Sequence, residues 1–541
     1  MLFLPLLAIG QVPDIVATEG MKTTLQKNNT GKIFFTAKAV PTLRLRPTDF
    51  QKSYTLSQKS DLFFVAFFDN SLTNYLHRLS PKLPADSLVK IGNYRFALFV
   101  DDRLIYESNL LPGAPYARVL DTATSLNRPL IDNEKGNGSW SESFWNRFLS
   151  NGGDSALTDG RHTLRIDIRP YLKADSLKVG PLMASGSLVL NIVRSPKIDI
   201  SKIGLSRIRP YDGFAVSGEP FDRNKIKELK ANIDAGVFKK ISSIVVIKNG
   251  RLLIEEYFNG ASRNTLHDTR SVGKSFSSAL TGMAIRDGYI KNEEQPLKDF
   301  YDLGAYANFS KGKEQATIRE LLTMSSGFDG DDEDYRSSGN EENMYPAPDW
   351  VKFALDLPFR RQTPAGRWHY FTAGVILLGD ILNKQVKGGL EKYADENLFR
   401  PLHITRYKWQ YTPQHVPNTA GGLQMNALDL ARYGQLYKAD GVWNKKQLIP
   451  KDWVARTFTK QKLIEGRTAE FYGYLFWNKS FLANGKWYEA FYCAGNGGNY
   501  IFIFKELPLV IVITATAYGQ PYAHTQVTKM LSEFILPAVI K

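Results

Sequence analysis

The sequence predicts an α/β domain whose sheet joins an early hairpin to late strands, with helices inserted between them, preceded by an all-β, sandwich-like domain. Three observations carry this reading. From about Thr30 to Val193, apolar and polar residues alternate in short runs separated by turn residues, the period of half-buried strands. Beyond Ser243 a hairpin comes first, helical runs follow, and two apolar strands return near the end. The length, 541 residues and 61.1 kDa, also exceeds one core at roughly 150 residues per domain. The boundaries are an N-terminal segment 1–27, a β-sandwich-like domain 28–195, a linker 196–224 and the α/β domain 225–541.

Along the chain, Met1–Gly10 is apolar but far shorter than the roughly 20 residues that span a bilayer. It resembles the apolar core of a secretory signal without the positive leader, so segment 1–27 reads as the remnant of a signal peptide. No later run reaches transmembrane length, and the expectation is an exported protein, periplasmic or secreted, with no integral membrane segment. Strands follow at Lys32–Val40, Tyr94–Val100, His162–Ile168 and Ser187–Val193. Glu134–Trp140 is Gly/Asn/Ser-rich and reads as an exposed insertion anchored by Trp140 and Trp145 rather than a ligand loop. After a Ser/Pro/Ile-rich connector, Asp222–Ala235 reads as a helix. Ser243–Lys248 and Arg251–Tyr257 flank Asn249-Gly250, the pair that a type I′ hairpin turn requires. Helical runs cover Ser275–Asp287, Ile318–Thr323, Thr372–Lys384 and Asn426–Tyr437, and strands Tyr500–Phe504 and Leu509–Thr514 close the sheet.

Composition excludes several classes. With 43% hydrophobic and 23% charged residues, wholesale disorder is out. The net charge of +15 invites a nucleic-acid partner, but the basic residues are scattered and no finger, RNA-recognition or helix-turn-helix motif accompanies them, so no nucleic acid is expected. The dispersed charge suits an envelope polymer instead, and the N-terminal half is open to glycan or envelope contact. The single cysteine, Cys493, rules out intrachain disulfides and thiolate clusters. The seven histidines show no ligand spacing, so neither a metal nor a cofactor is expected.

The chemistry centres on Ser271-Val272-Gly273-Lys274. The Ser-x-x-Lys spacing also occurs at Ser87 and Ser310, so spacing alone decides nothing. Here, however, it opens the apolar run Ser275–Ile285, and residues three apart share a helical face, so Lys274 can reach the Ser271 oxygen. A serine hydroxyl needs a neighbouring base to act as nucleophile, and a lysine serves if burial lowers its pKa. The bland alternative is an N-cap serine beside a solvated lysine. A P-loop would need glycine where Asp268 stands, and the Gly-x-Ser-x-Gly elbow is missing.

Downstream segments add weight. Pro364–Gly379, containing Trp368-His369-Tyr370-Phe371-Thr372, resembles the Tyr-containing second motif of the serine β-lactamase and penicillin-binding-protein superfamily, class C-like branch, with its esterases and amide hydrolases. Thr269–Phe276 resembles its first motif, and Ala494-Gly-Asn-Gly-Gly-Asn499 its third. Leu321–Phe328 and Gly421–Leu436 resemble two further segments, and all five stand in the family's order between about residues 240 and 520. The resemblance implies a β-lactamase/transpeptidase-like fold, an antiparallel sheet flanked by helices with a helical insertion.

It also implies roles. Ser271 would be the acylated nucleophile, Lys274 its activator, and Tyr370 a phenol shuttling the proton between Ser271 and the leaving group. The N–H groups of Ser271 and Asn499 would form the oxyanion hole, with Asn496, Gly497, Gly498 and Thr372 lining the substrate. Two departures stand out. Tyr370-Phe371-Thr372 replaces the family's Tyr-x-Asn or Tyr-x-Ser, and Asn496-Gly497-Gly498 stands where β-lactamases carry Lys-Thr-Gly. A site with neither cation nor hydroxyl there is poorly matched to a substrate carboxylate. The expected activity is therefore hydrolysis of a neutral small-molecule or peptide-like ester or amide through an acyl-enzyme. A catalytically weak binding or sensor protein on the same scaffold, or a true β-lactamase or D-Ala carboxypeptidase, are the alternatives. The acidic run Asp329–Asp334 reads as a solvated loop, Trp409 and Trp477 as core, and His267 and His369 flank the site without an assigned role.

Overall fold

The computed structural model describes residues 12–57, 60–112, 120–132, 140–174, 176–193, 199–334, 336–359, 366–520 and 522–540. It divides into two compact units, 1–197 and 198–541. The Glu134–Ser139 part of the expected insertion lies outside the described residues.

The first unit holds two sheets. One has the order Ile33–Thr36, Leu62–Phe67, Ser125–Ile131; in the other, Ser53–Ser57, Ala184–Val193, Gly160–Lys173, Gly92–Val100 and Arg103–Asn109 lie side by side. Ser53–Ser57 joins its neighbour in parallel. Alternation decides the layering: Phe64 of one sheet and Phe96 of the other point into a shared core, their rings 6.2 Å apart and edge-on, a favoured aromatic geometry. This is the sandwich arrangement expected from the period of two. Trp145 is part of the same core.

In the second unit, β1 (Ile241–Lys248) and β2 (Arg251–Tyr257) form the hairpin. They are followed in the chain by α1 (Gly273–Arg286), α2 (Thr372–Gln385) and α3 (Ala427–Lys438). Then come β3 (Trp477–Ala483), β4 (Lys486–Gly495), β5 (Asn499–Phe504) and β6 (Leu509–Ala515). The sheet runs β2-β1-β6-β5-β4-β3, continued by Phe471–Tyr472 and Lys462–Leu463, and every neighbouring pair is antiparallel. Asn249 and Gly250 both take positive φ, 50° and 69°, as the Asn-Gly turn requires.

The central strands are mostly apolar on both faces because both faces are covered. Val245 and Ile247 of β1 enter the core shared with α1, α2 and α3, whereas Ile244 and Val246 enter the core shared with Arg223–Asp234 and the C-terminal helical segment. Each such side chain contributes roughly 1.5–3 kcal/mol on burial. α3 packs on β1, β5 and β6, and α1 packs on α2. α1 is in turn locked to α3 by the Phe276–Tyr433 stack at 3.8 Å and by the Tyr433 hydroxyl donating to the Ser275 carbonyl at 2.7 Å. The buried α1 therefore holds its N-terminus at the end of β4. No helix among the described residues is long and apolar enough to cross a membrane.

Candidate active site

Ser271 stands in the single turn Arg270–Val272 that leads into α1. The preceding Arg270 has φ of 50°, a left-handed conformation costly for a side-chain-bearing residue and concentrated at functional turns. Ser271 is half-buried, and Lys274, one turn on, is fully enclosed at 2% exposure. Lys274 Nζ donates to Ser271 Oγ at 3.0 Å and to the Ala420 carbonyl at 2.5 Å. Burial pushes its pKa below the ordinary lysine value, with Glu341 and Asp332 pulling the other way. The N-cap alternative does not describe this pair, since the lysine is not solvated.

Tyr370 stands two residues before α2, with its hydroxyl within reach of Ser271. The Lys274 ammonium sits 5.2 Å from its ring centroid, and Trp477 of β3 stacks on it at 5.5 Å and 27°. Burial raises its pKa well above that of a free phenol. The Ser271 side chain, within reach of its hydroxyl, lowers it, and Glu341, Asp332 and Glu333 raise it further. Trp368 and Tyr472 complete the aromatic wall at 5.6 and 5.1 Å from Trp477. Trp477 is thus half-buried and lines the phenol, whereas Trp409 lies in the core.

The third motif is placed differently from the sequence expectation. The glycine against Ser271 is Gly495, the last residue of β4. A Cβ there would lie 2.2 Å from the Thr269 carbonyl oxygen and 3.2 Å from the N atoms of Ser271 and Val272. Asn499 instead stands across the ladder from Gly495 and is buried. Its side chain accepts the Ala515 N–H at 3.2 Å and donates to the Asn496 carbonyl at 3.0 Å. The exposed amide just beyond Gly495 belongs to Asn496, whose Oδ1 is engaged by the Gly519 N–H at 2.9 Å. No described residue accepts from the N–H of Ser271 or of Asn496. Gly497 and Gly498, with φ of 89° and 92°, make the turn, and the Gly497 carbonyl accepts the Ala517 N–H. They shape the strand connection, while Gly495 permits the close approach. Thr372 is buried with no partner for its hydroxyl among the described residues; its backbone N–H donates to Asp332.

Sequence reasoning missed three features. The acidic run is not a solvated loop. The Asp332 N–H donates to the Tyr370 carbonyl, and its carboxylate accepts the Thr372 and Glu341 N–H groups at 2.7 and 2.8 Å, while Asp331 pairs with His369 at 3.0 Å. The Ala420 carbonyl holds the lysine, and Gly421 packs its backbone on Arg270 and Ser271. Glycines 421 and 422 were the only sequence trace of that approach. His267 is buried with Nε2 unpartnered among the described residues. Cys493 is buried, and its thiol donates to Ser275 at 3.2 Å from behind the site. No group of three His, Cys, Asp or Glu among the described residues could hold a metal.

Comparison with known proteins finds similarity over part of the chain. Protein flp of Staphylococcus aureus (strain N315) is 22% identical over 192 residues, 34% of this chain and 38% of its own length. The chain therefore spans well under half of that curated relative. A penicillin binding protein from Bacillus halodurans is 17% identical, covering 56% of this chain and 99% of its own, with a TM-score of 0.45. An octameric penicillin-binding protein homologue from Pyrococcus abyssi is 20% identical, covering 58% and 78%, with a TM-score of 0.44. The family model described as Beta-lactamase matches residues 230–531; with more than half of its length so matched, the chain belongs to the beta-lactamase family.

Proposed function

We propose that this protein is a serine hydrolase that cleaves a neutral ester or amide through an acyl-enzyme on Ser271. The observation that carries the reading is the buried Lys274 Nζ, 3.0 Å from Ser271 Oγ and anchored by the Ala420 carbonyl. A lysine whose pKa is lowered by burial gains access to its neutral form, which can take the serine proton. Ser271 Oγ then bonds to the substrate carbonyl carbon. The N–H groups of Ser271 and Asn496 hold the resulting oxyanion, each such donor being worth about 3–4 kcal/mol of barrier.

Tyr370, whose pKa is raised, acts as the neutral donor. Its hydroxyl protonates the leaving oxygen or nitrogen as the carbonyl bond breaks, and the Lys274 ammonium returns a proton to the phenoxide. Water repeats the sequence in reverse to release the acid and regenerate Ser271. Neither Ala494 nor Asn496 beside Gly495 supplies a cation for a substrate carboxylate, which favours neutral substrates over penicillins.

The test is a panel of chromogenic short esters, D-amino-acid amides and nitrocefin, with fluorophosphonate labelling read by mass spectrometry. The label is expected on Ser271 and absent from Ser271→Ala, with ester or amide turnover exceeding that of nitrocefin. Labelling that persists unchanged in Ser271→Ala rejects the assignment.

A further inference from the structure

We propose that Asp332 is a positioning residue for the Tyr370 phenol, acting as a two-sided clamp between the acidic loop and the start of α2. This inference rests on the acyl-enzyme reading above. The clamp has three bonds. The Asp332 N–H donates to the Tyr370 carbonyl at 2.7 Å, one carboxylate oxygen accepts the Thr372 N–H at 2.7 Å, and the other accepts the Glu341 N–H at 2.8 Å. Tyr370 is therefore gripped on its own carbonyl and, two residues on, at the first N–H of the helix that follows it. Both carboxylate oxygens face N–H donors, so a proton on either one puts an O–H where an N–H already points and breaks that bond.

The surroundings make this clamp sensitive to pH. Glu341, Lys274 of α1, Glu333 (paired with Arg467), the Asp331–His369 pair and Tyr345 (hydrogen-bonded to Glu341) are the ionisable groups around it. Burial, helped by Glu341, pushes the Asp332 carboxyl up to about 6, against Lys274 and the Thr372 hydrogen bond. Above that pH both N–H groups are held; below it the phenol is released from its place over Ser271. A half-buried carboxylate beside another carboxylate is a poor stabilising device, and such arrangements cluster at functional sites.

The experiment is the pH profile, between pH 4.5 and 9, of Ser271 labelling by a fluorophosphonate and of ester turnover. Wild type is compared with Asp332→Asn and Glu341→Gln, with folding checked by near-UV circular dichroism. An asparagine offers one acceptor oxygen and an NH2 that opposes the second N–H, so it mimics the protonated clamp at every pH. Asp332→Asn is expected to lower kcat at least about tenfold with little change in KM, and to abolish the acid limb near pH 6. Glu341→Gln is expected to keep the plateau and move that limb to lower pH, which tests the clamp even if Asp332→Asn fails to fold. A labelled wild type whose rate and acid limb are unchanged in both variants overturns this proposal alone. A wild type with no label on Ser271 overturns it together with the acyl-enzyme reading.

Discussion

Replacing Gly495 by alanine tests the proposed oxyanion geometry directly. The new Cβ would lie 2.2 Å from the Thr269 carbonyl oxygen, where real Cβ contacts stay beyond 3.0 Å, so the end of β4 must retreat from the nucleophile turn by about 0.8 Å. Neither side of the contact is a flexible side-chain tip. β4 is held by β3 and β5 on either side, and the turn is fixed by α1. Overpacking of this kind costs about 1–3 kcal/mol of stability, which leaves a domain of this size folded. Catalysis should suffer more, because a displaced Asn496 N–H no longer meets the oxyanion formed at Ser271. Loss of one such donor costs about 10²–10³ in kcat. The assay is ester turnover alongside fluorophosphonate labelling of Ser271, with the melting transition as control. The expected result is a fall in kcat of at least about a hundredfold and a cooperative transition lowered by only a few degrees. A variant that melts as expected and retains kcat within about twofold refutes the placement of Gly495 and Asn496 at the oxyanion.

Three further outcomes follow from the same geometry. Lys274→Met should abolish labelling of Ser271 yet melt no lower than wild type at pH 7. The depressed lysine pKa means the unfolded chain binds more protons, so wild-type stability rises towards pH 10.5 and the advantage of the variant should shrink there. Trp477→Ala removes the stack on Tyr370 and the contacts to Trp368 and Tyr472; it should cost about 3 kcal/mol in denaturant unfolding and reduce kcat, with Trp477→Phe intermediate in both. Burial pulls the His267 pKa down to about 4, so between pH 6.5 and 4 the unfolded state binds the extra proton and stability falls with pH, by about 3 kcal/mol in total. Urea unfolding of His267→Phe should lack that component.

What the sequence made legible is what side-chain period and spacing encode. Alternation in Tyr94–Val100 and His162–Ile168 exposes the sandwich because each strand has one wet face. The Asn249-Gly250 pair fixes the hairpin because both positions need positive φ. Ser271 and Lys274 can meet because residues three apart share a helical face, and they do. The features that escaped are held by backbone. The Ala420 carbonyl has no side-chain signature, and the acidic loop reads as solvated until its N–H groups and carboxylates are placed on Tyr370 and α2. Three glycines within four residues, Gly495, Gly497 and Gly498, cannot be told apart by type; only the packing shows that the first abuts the serine and the others turn the chain. Trp477 looks like any buried strand aromatic, and only the packing shows that its ring stacks on the phenol.

The electrostatics of the site also bear on how the proposed mechanism divides proton transfer between Lys274 and Tyr370. Desolvation acts on buried Lys274 and half-buried Tyr370 in opposite directions, because it disfavours whichever form is charged. It lowers the pKa of Lys274 and raises that of Tyr370. The carboxylates of Asp332 and Glu341 raise both, favouring the ammonium and opposing the phenoxide. The lysine is therefore drawn towards its uncharged form by burial and checked by the acidic loop, while both effects hold the tyrosine un-ionised. A resting phenoxide base is therefore disfavoured on this surface. The same surface suits a neutral lysine that accepts the serine proton, followed by an un-ionised phenol that hands one on to the leaving group.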